Sequence, residues 1–263
     1  MSAGWLVRRA AATVAFGLLP ATSVPAAAQT RVGPPQDSLS AIADEVPEVP
    51  FGPGEELGYQ VKYGVFGIGN ARMTVPRIDT IHDRPVYVTE LEIKGSVLGY
   101  GLDQRFYSWI DTEKLVSRRF GKDEKDRPRE YELFPEERRV HQIQNRDTTW
   151  TMPTSEPLDD LSFVHFARTL PLEVGETYEF NRYFKEDGNP VILKVLRKDE
   201  RETKAGVFST IVVQPIIPNS SLYSEGGNAE IHFSDDERRL VVYMKVDGPI
   251  LPFNITMHLE EIR

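Results

Sequence analysis

The sequence predicts a mainly β fold, a single curved antiparallel sheet or barrel-like domain with one short helix near residues 159–170. Three observations carry that expectation. After Gly54, apolar and polar residues alternate at period two, turn-forming residues separate the alternating runs, and a single segment has both a helical start and a helical stop. Leu57, Tyr59, Val61 and Tyr63 interleave with Gly58, Gln60 and Lys62, so an extended segment here has one apolar and one polar face. The pattern recurs over Val86 to Lys94, Gln104 to Asp111, Glu130 to Phe134, Val140 to Asn145, Thr177 to Lys185 and Val191 to Leu196. It continues over Val207 to Gln214, Ala229 to Phe233, Leu240 to Val246 and Phe253 to Glu260. Asp187-Gly188-Asn189, Lys204-Ala205-Gly206 and Ser234-Asp235-Asp236-Glu237 supply residues that tolerate turns, which makes the hairpin the building unit.

The helix opens at Asp159 or Asp160, where a short carboxylate accepts orphan amides of the first turn. It runs to Leu170 and stops before Pro171. Leu161, Val164 and Arg168 fall on one side, Phe163, Phe166, Ala167 and Leu170 on the other, so the helix is expected to plug the open side of the sheet.

Residues 1–53 read differently. Arg8 and Arg9 form a positive start, Ala10 to Leu19 an apolar stretch, and Ala26-Ala27-Ala28 a small-residue cleavage site, which together read as a secretory signal peptide ending at Ala28, with Gln29 opening the mature chain. A membrane helix needs about 20 apolar residues, and Pro20 cuts this run to half that. Gln29 to Pro53 holds Pro34, Pro35, Pro47, Pro50 and Pro53 among polar residues, the composition of a flexible linker. The chain has no cysteine, so no disulfide framework forms, and Gln29 stands where an acyl-anchored lipoprotein carries Cys. The expected location is the periplasm or the exterior, without a lipid anchor. Loss of Arg8 and Arg9 takes the formal charge from -9 to -11, which disfavours nucleic acid and anionic lipid surfaces as partners. No later segment approaches a membrane span in length.

Six blocks in order resemble a known bacterial envelope family. They are Gly54-Glu55-Glu56-Leu57-Gly58-Tyr59, Tyr107-Ser108-Trp109-Ile110-Asp111, Asp159-Asp160-Leu161-Ser162, Arg168 to Gly175, Thr203 to Phe208 with a following Pro215, and Ser234 to Arg239. The chain from Gly54 onward is similar to domain of unknown function 3108 (DUF3108). It departs from the pattern at His232, where members often carry Trp, and at Val241, where they carry Pro. The resemblance implies an exported, β-rich domain with a curved or barrel-like sheet, similar to the fold of capsule-associated envelope lipoproteins, and no established activity.

The search for chemistry returns little. His82, His141, His165, His232 and His258 show no metal-ligand spacing, so no metal and no cofactor are expected. The run Gly95-Ser96-Val97-Leu98-Gly99 misplaces its serine for a nucleophile elbow and reads as a loop. Gly64 to Gly69 precedes β-like residues and Pro76, where a phosphate loop must open a helix, so it reads as a glycine-rich hairpin. Asp159-Asp160 and Asp235-Asp236 have complete explanations as a helix cap and a turn.

One strand is a binding candidate. Arg105, Tyr107, Trp109 and Asp111 share a face that mixes flat rings with charges, the chemistry that holds a sugar or a lipid headgroup. The plainer reading buries Tyr107 and Trp109 against the helix or a strand and pairs Arg105 with Asp111. Arg118-Arg119, Arg138-Arg139 and Arg238-Arg239 read as solvated strand edges. The expected function is a non-enzymatic binding or assembly module for an envelope glycan or lipid. The alternative is a periplasmic glycan hydrolase whose carboxylates converge from separate strands.

Overall fold

The computed structural model describes residues 48–97, 100–124, 128–144, 147–218, 220, 223, 229–246 and 254–263. The expected signal peptide, its cleavage point at Ala28 and Gln29, and the tether up to residue 47 lie outside the described residues. The last part of the expected tether is packed, not free. Phe51 is 6% exposed and meets Val75, Ile110 and Leu115 in a small apolar cluster.

Among the described residues, fourteen antiparallel strands form one sheet. They are β1 (Glu55–Tyr63), β2 (Phe66–Ile81), β3 (Arg84–Val97), β4 (Tyr100–Asp111), β5 (Ser117–Glu124), β6 (Arg129–Phe134), β7 (Arg139–Gln144) and β8 (Thr148–Thr151), then β9 (Thr177–Phe180), β10 (Val191–Thr203), β11 (Gly206–Ile216), β12 (Glu230–Ser234), β13 (Val241–Val246) and β14 (Ile255–Ile262). The helix α1 (Asp160–Arg168) lies between β8 and β9 in the chain. Strand order is β8 through β1, then β14 down to β9, so the first and last strands pair at the centre and the sheet does not close. Both edges are strands of four residues. Leu158 bridges toward the β9 side, its N–H donating to the Arg182 carbonyl (2.6 Å) and its carbonyl accepting from Phe184 N–H (3.1 Å).

The alternation read from the sequence is what divides the sheet into two faces. Leu57, Tyr59, Val61, Met73, Leu91, Phe106, Phe233 and Met257 point inward into one core with Phe163, Val164 and Ala167 of α1. Of the helix residues only Phe166 escapes full burial, which is why both of its sides had to be apolar. The helix starts where expected, with Asp159 the N-cap forming a capping box with Ser162, and ends two residues before the expected Leu170, at Arg168 with Thr169 as C-cap.

Three strands escape the period-two reading. In β2, Pro76 sits at a register shift between Thr74 and Arg77, where an unpaired residue tolerates a missing amide. β5 carries Arg118, Arg119, Gly121 and Lys122 in place of a clean alternation, and β8 is too short for a pattern. Further boundaries move, among them the end of β10, which runs to Thr203 and not to Leu196. The expected strand Thr177 to Lys185 ends at Phe180, because Tyr183 leaves the sheet to bridge Leu158 and the connection to β10 runs through a 3-10 turn at Glu186–Gly188 and the cis Asn189-Pro190 bond. Gly95, Ser96 and Val97 extend β3 and are not a loop; residues 98–99 lie outside the described residues.

Curvature comes from register shifts in seven strand pairs and from one close approach of backbones. Gly69 faces Gly95 directly across β2 and β3, and a Cβ at Gly69 would lie 2.0 Å from the Lys94 carbonyl oxygen. A Cβ at Gly95 would lie 2.3 Å from the Ile68 oxygen. Only glycine fits either position. Gly69→Ala and Gly95→Ala are therefore each expected to lose roughly 3 kcal/mol in urea unfolding, as backbone strain must separate the strands. Gly101→Ala, where nothing lies within 4 Å of the added carbon, should stay within about 0.5 kcal/mol. Equal behaviour of the three variants would contradict the close-approach argument.

Candidate functional site

On β4, Phe106, Ser108 and Ile110 turn inward and are buried, so Arg105, Tyr107 and Trp109 turn outward, away from α1. Tyr107 and Trp109 are half-buried and do not pack under the helix. The Tyr107 ring lies across Gly121 of β5, where a Cβ would come within 1.8 Å of it. The ring thus covers a strand glycine, a stabilising device in sheets. Burial, then the charges of Glu130 and Asp123, push the Tyr107 hydroxyl up to about 12. The Arg105 guanidinium lies 5.6 Å from the Tyr107 ring centroid, and Arg119 lies 5.2 Å from that of Trp109. Arg119 in turn binds Glu130.

Arg105 does not pair with Asp111. It donates to Glu90 (3.0 Å) and approaches Glu92 (3.9 Å), its neighbours across β3. Asp111 is wholly buried and drops out of the solvent-reachable face. Its Oδ2 accepts from Arg118 Nε (2.8 Å) and Arg84 Nε (3.2 Å), and its Oδ1 accepts from the amides of Glu113 and Lys114. Burial alone would raise its pKa, but those four donors together hold the carboxyl below its usual value. Arg118, expected at a solvated edge, is 1% exposed and also binds Glu136, because the register shift between Trp109 and Ile110 tucks it against Asp111 on a central strand. Arg138 donates to the carbonyls of Met152 and Pro153, and Arg239 pairs with Asp235, so these doublets serve turns and not edges.

A polar groove adjoins the β4 face. A hollow of about 440 Å³ is lined by Gly58, Asn70, Arg72, Glu92, Lys94 and Glu261, among others. A second, of about 300 Å³, shares Arg72 and Glu92 and adds Glu56 and Glu90. The two carboxylates that hold Arg105 thus also line the hollows. Arg72, Glu90 and Glu92 carry no signal in the sequence, and Arg119 reads there only as part of a solvated doublet. Their individual strands show only ordinary polar positions, and it is the β2–β3–β4–β5 register that gathers them.

The carboxylate pairs have structural partners. Asp159 Oδ2 accepts from Ser108 Oγ (2.6 Å) and Ser117 Oγ (2.5 Å), while its Oδ1 accepts from the amides of Leu161 and Ser162. Burial pushes its carboxyl up to about 6 against those hydrogen bonds. Asp160 accepts from Tyr183 Oη (3.1 Å) and Ser220 Oγ (3.0 Å). Asp236 Oδ1 accepts from Ser234 Oγ and the amides of Arg238 and Arg239, and Asp235 pairs with Lys198. The histidines are dispersed. His82 binds Glu132, His141 binds Asp147, and His165 is buried against Phe51, burial holding it down at about 4. His232 and His258 flank Tyr243 edge-on, and burial holds both down at about 4. Among the described residues no group of three or more His, Cys, Asp or Glu is placed to hold a metal ion.

A family model described as "Protein of unknown function (DUF3108)" matches residues 58–259. No curated protein sequence matches the chain. Among solved structures, the fold is similar to a β-barrel-like protein of domain of unknown function DUF1849 from Brucella abortus, at 11% identity and TM-score 0.49, covering 82% of this chain and 99% of that one. It is also similar to a Bacteroides fragilis protein provisionally described as exported, with a YmcC-like fold, at 11% identity and TM-score 0.36, covering 83% and 99%. A Chlamydia trachomatis protein is similar at 12% identity and TM-score 0.33, covering 80% and 87%.

Asp159 yields a pH prediction. Its folded-state carboxyl sits at about 6 against an unfolded value near 3.9, so the folded chain binds the extra proton between those values and stability falls as pH rises through them. Asp159→Asn keeps an oxygen for the two amides and an NH2 for the two serine oxygens. The unfolding free energy of wild type relative to this variant should therefore drop by about 2 kcal/mol between pH 4 and pH 7. A difference that stays flat with pH would refute the assignment.

Proposed function

The chain belongs to the DUF3108 family, and on that footing we propose that it is an exported, non-enzymatic module of the bacterial envelope that binds a polar component, a glycan ahead of a lipid, on the outward face of β1 to β5. The observation that carries this reading is the polar groove continuous with Arg105, Tyr107 and Trp109 through Glu90 and Glu92. Two half-exposed rings beside fixed donors and acceptors suit a sugar, whose faces stack and whose hydroxyls form paired hydrogen bonds. A lipid chain would need an apolar floor, and charged and amide side chains line this groove. Asp159-Asp160 and Asp235-Asp236 are taken up by a cap and a turn, which favours binding over hydrolysis. Export rests on the signal-peptide reading of Met1 to Ala28, and release without an acyl anchor rests on Gln29 in place of Cys.

Calorimetric titration with oligosaccharides released from envelope polysaccharides should show binding that weakens about tenfold or more in Trp109→Ala and Arg105→Ala. The melting temperatures of these variants should change little. New reducing ends in the same mixtures would establish the hydrolase instead. Absence of binding across the oligosaccharide series would remove the glycan reading.

A further inference from the structure

The hairpin joining β1 to β2 ends in two apolar side chains that join no apolar cluster among the described residues. Val65 is 85% exposed and Phe66 71% exposed, and neither joins the core. Tyr63 and Phe66 form the last pair of the ladder, so Gly64 and Val65 make a two-residue turn, with Gly64 at φ 57°. Gly64 supplies the positive φ that this turn requires, which leaves Val65 at an ordinary φ that a polar residue would fill equally well, so the fold has no conformational need of an apolar side chain there. No charged residue occurs from Tyr63 to Ala71, and Lys62 is the first charge on the β1 side. At the same end of the sheet, Ile68, Leu102, Val246 and Ile255 are half-buried and carry apolar surface from the core toward the tip.

We propose that this tip inserts into the headgroup boundary of a lipid bilayer and holds the domain against a membrane surface. The size and shape of the feature favour that occupant. Two protruding side chains fall far short of the roughly 800 Å² per partner that a stable protein interface buries. A fluid bilayer accepts a point without a complementary pocket. Val65 lies beside Gly64 at the turn, two residues beyond Lys62 along the strand axis, about 7 Å at strand spacing, which falls within the depth of interfacial insertion and leaves the Lys62 ammonium at the level of the lipid phosphates. The formal charge of -9 selects zwitterionic over anionic surfaces. The tip contributes no lining to the groove beside β4, so the two sites fail or stand separately.

Sedimentation with phosphatidylcholine vesicles tests the proposal. Wild type should partition onto the vesicles and Val65→Ser/Phe66→Ser should partition at least tenfold less, with an unchanged far-ultraviolet circular dichroism spectrum. Phe66→Trp should gain emission that shifts to the blue with vesicles and is quenched by brominated acyl chains. Vesicles rich in phosphatidylglycerol should bind more weakly. Failure of wild type to bind, equal binding by the serine variant, or an unquenched Trp in Phe66→Trp would each overturn the proposal, including the case in which the tip engages a protein.

Discussion

Asp159 at the start of α1 and Arg168 at its end are buried, and the architecture turns on how these two charged groups are satisfied. At the start of α1, the Asp159 carboxylate takes two helix amides on one oxygen and the hydroxyls of Ser108 and Ser117 on the other. Two of these four buried hydrogen bonds cap the helix and the other two tie it to β4 and β5. At the far end, the wholly buried Arg168 side chain binds Glu55 through two nitrogens and also reaches the carbonyls of Pro50 and Arg238. One guanidinium therefore joins the helix, the segment before β1, the start of β1 and the turn before β13. Removing either partner would strand a charge in the interior, a loss of about 3 to 5 kcal/mol for a buried pair.

The inward and outward faces solve different problems with the same strands. Inward positions pack a continuous apolar core around α1, and polar groups among them are held by hydrogen bonds such as those of Asp159 with Ser108 and Ser117, Asp160 with Tyr183 and Ser220, and Tyr59 with the Val241 carbonyl. Outward positions hold a ladder of ion pairs and cation–ring contacts: Arg105 with Glu90 and Tyr107, Arg119 with Trp109 and Glu130, Arg139 over Phe134, and Arg201 over Tyr243. Individually such exposed contacts contribute little to stability. Together they fix the orientation of donors, acceptors and rings across neighbouring strands, which is what recognition of a rigid polar ligand requires. Glycine sets the relief of this surface, since Gly121 admits the Tyr107 ring and Gly58 lines the groove.

Particular residues show where reading the chain succeeds and fails. Asp159 is legible because a cap is a local event, completed by amides two and three residues on. The outward direction of Arg105, Tyr107 and Trp109 is legible because side chains alternate along a strand. Asp111 shares their phase but not their exposure: Arg84 and Arg118, from strands β3 and β5, close over it. Arg118 and Arg119 look alike in the sequence, yet one is buried and the other half-exposed, because the register shift beside Trp109 separates them. The Gly69–Gly95 contact likewise requires β2 and β3 to be paired before either glycine acquires a reason.

Sequence alone determined the direction of most side chains, the position of the helix and its cap, and the absence of any recognisable catalytic or metal spacing, since each depends on residues a few positions apart. Tertiary structure alone decided that β1 pairs with β14, that the sheet stays open between β8 and β9 with the helix against its inner face, and which charges meet beside Tyr107 and Trp109. The reason is range. Backbone geometry orients a side chain through its immediate neighbours, whereas register between distant strands follows from the fit of the whole core, and no local pattern encodes it.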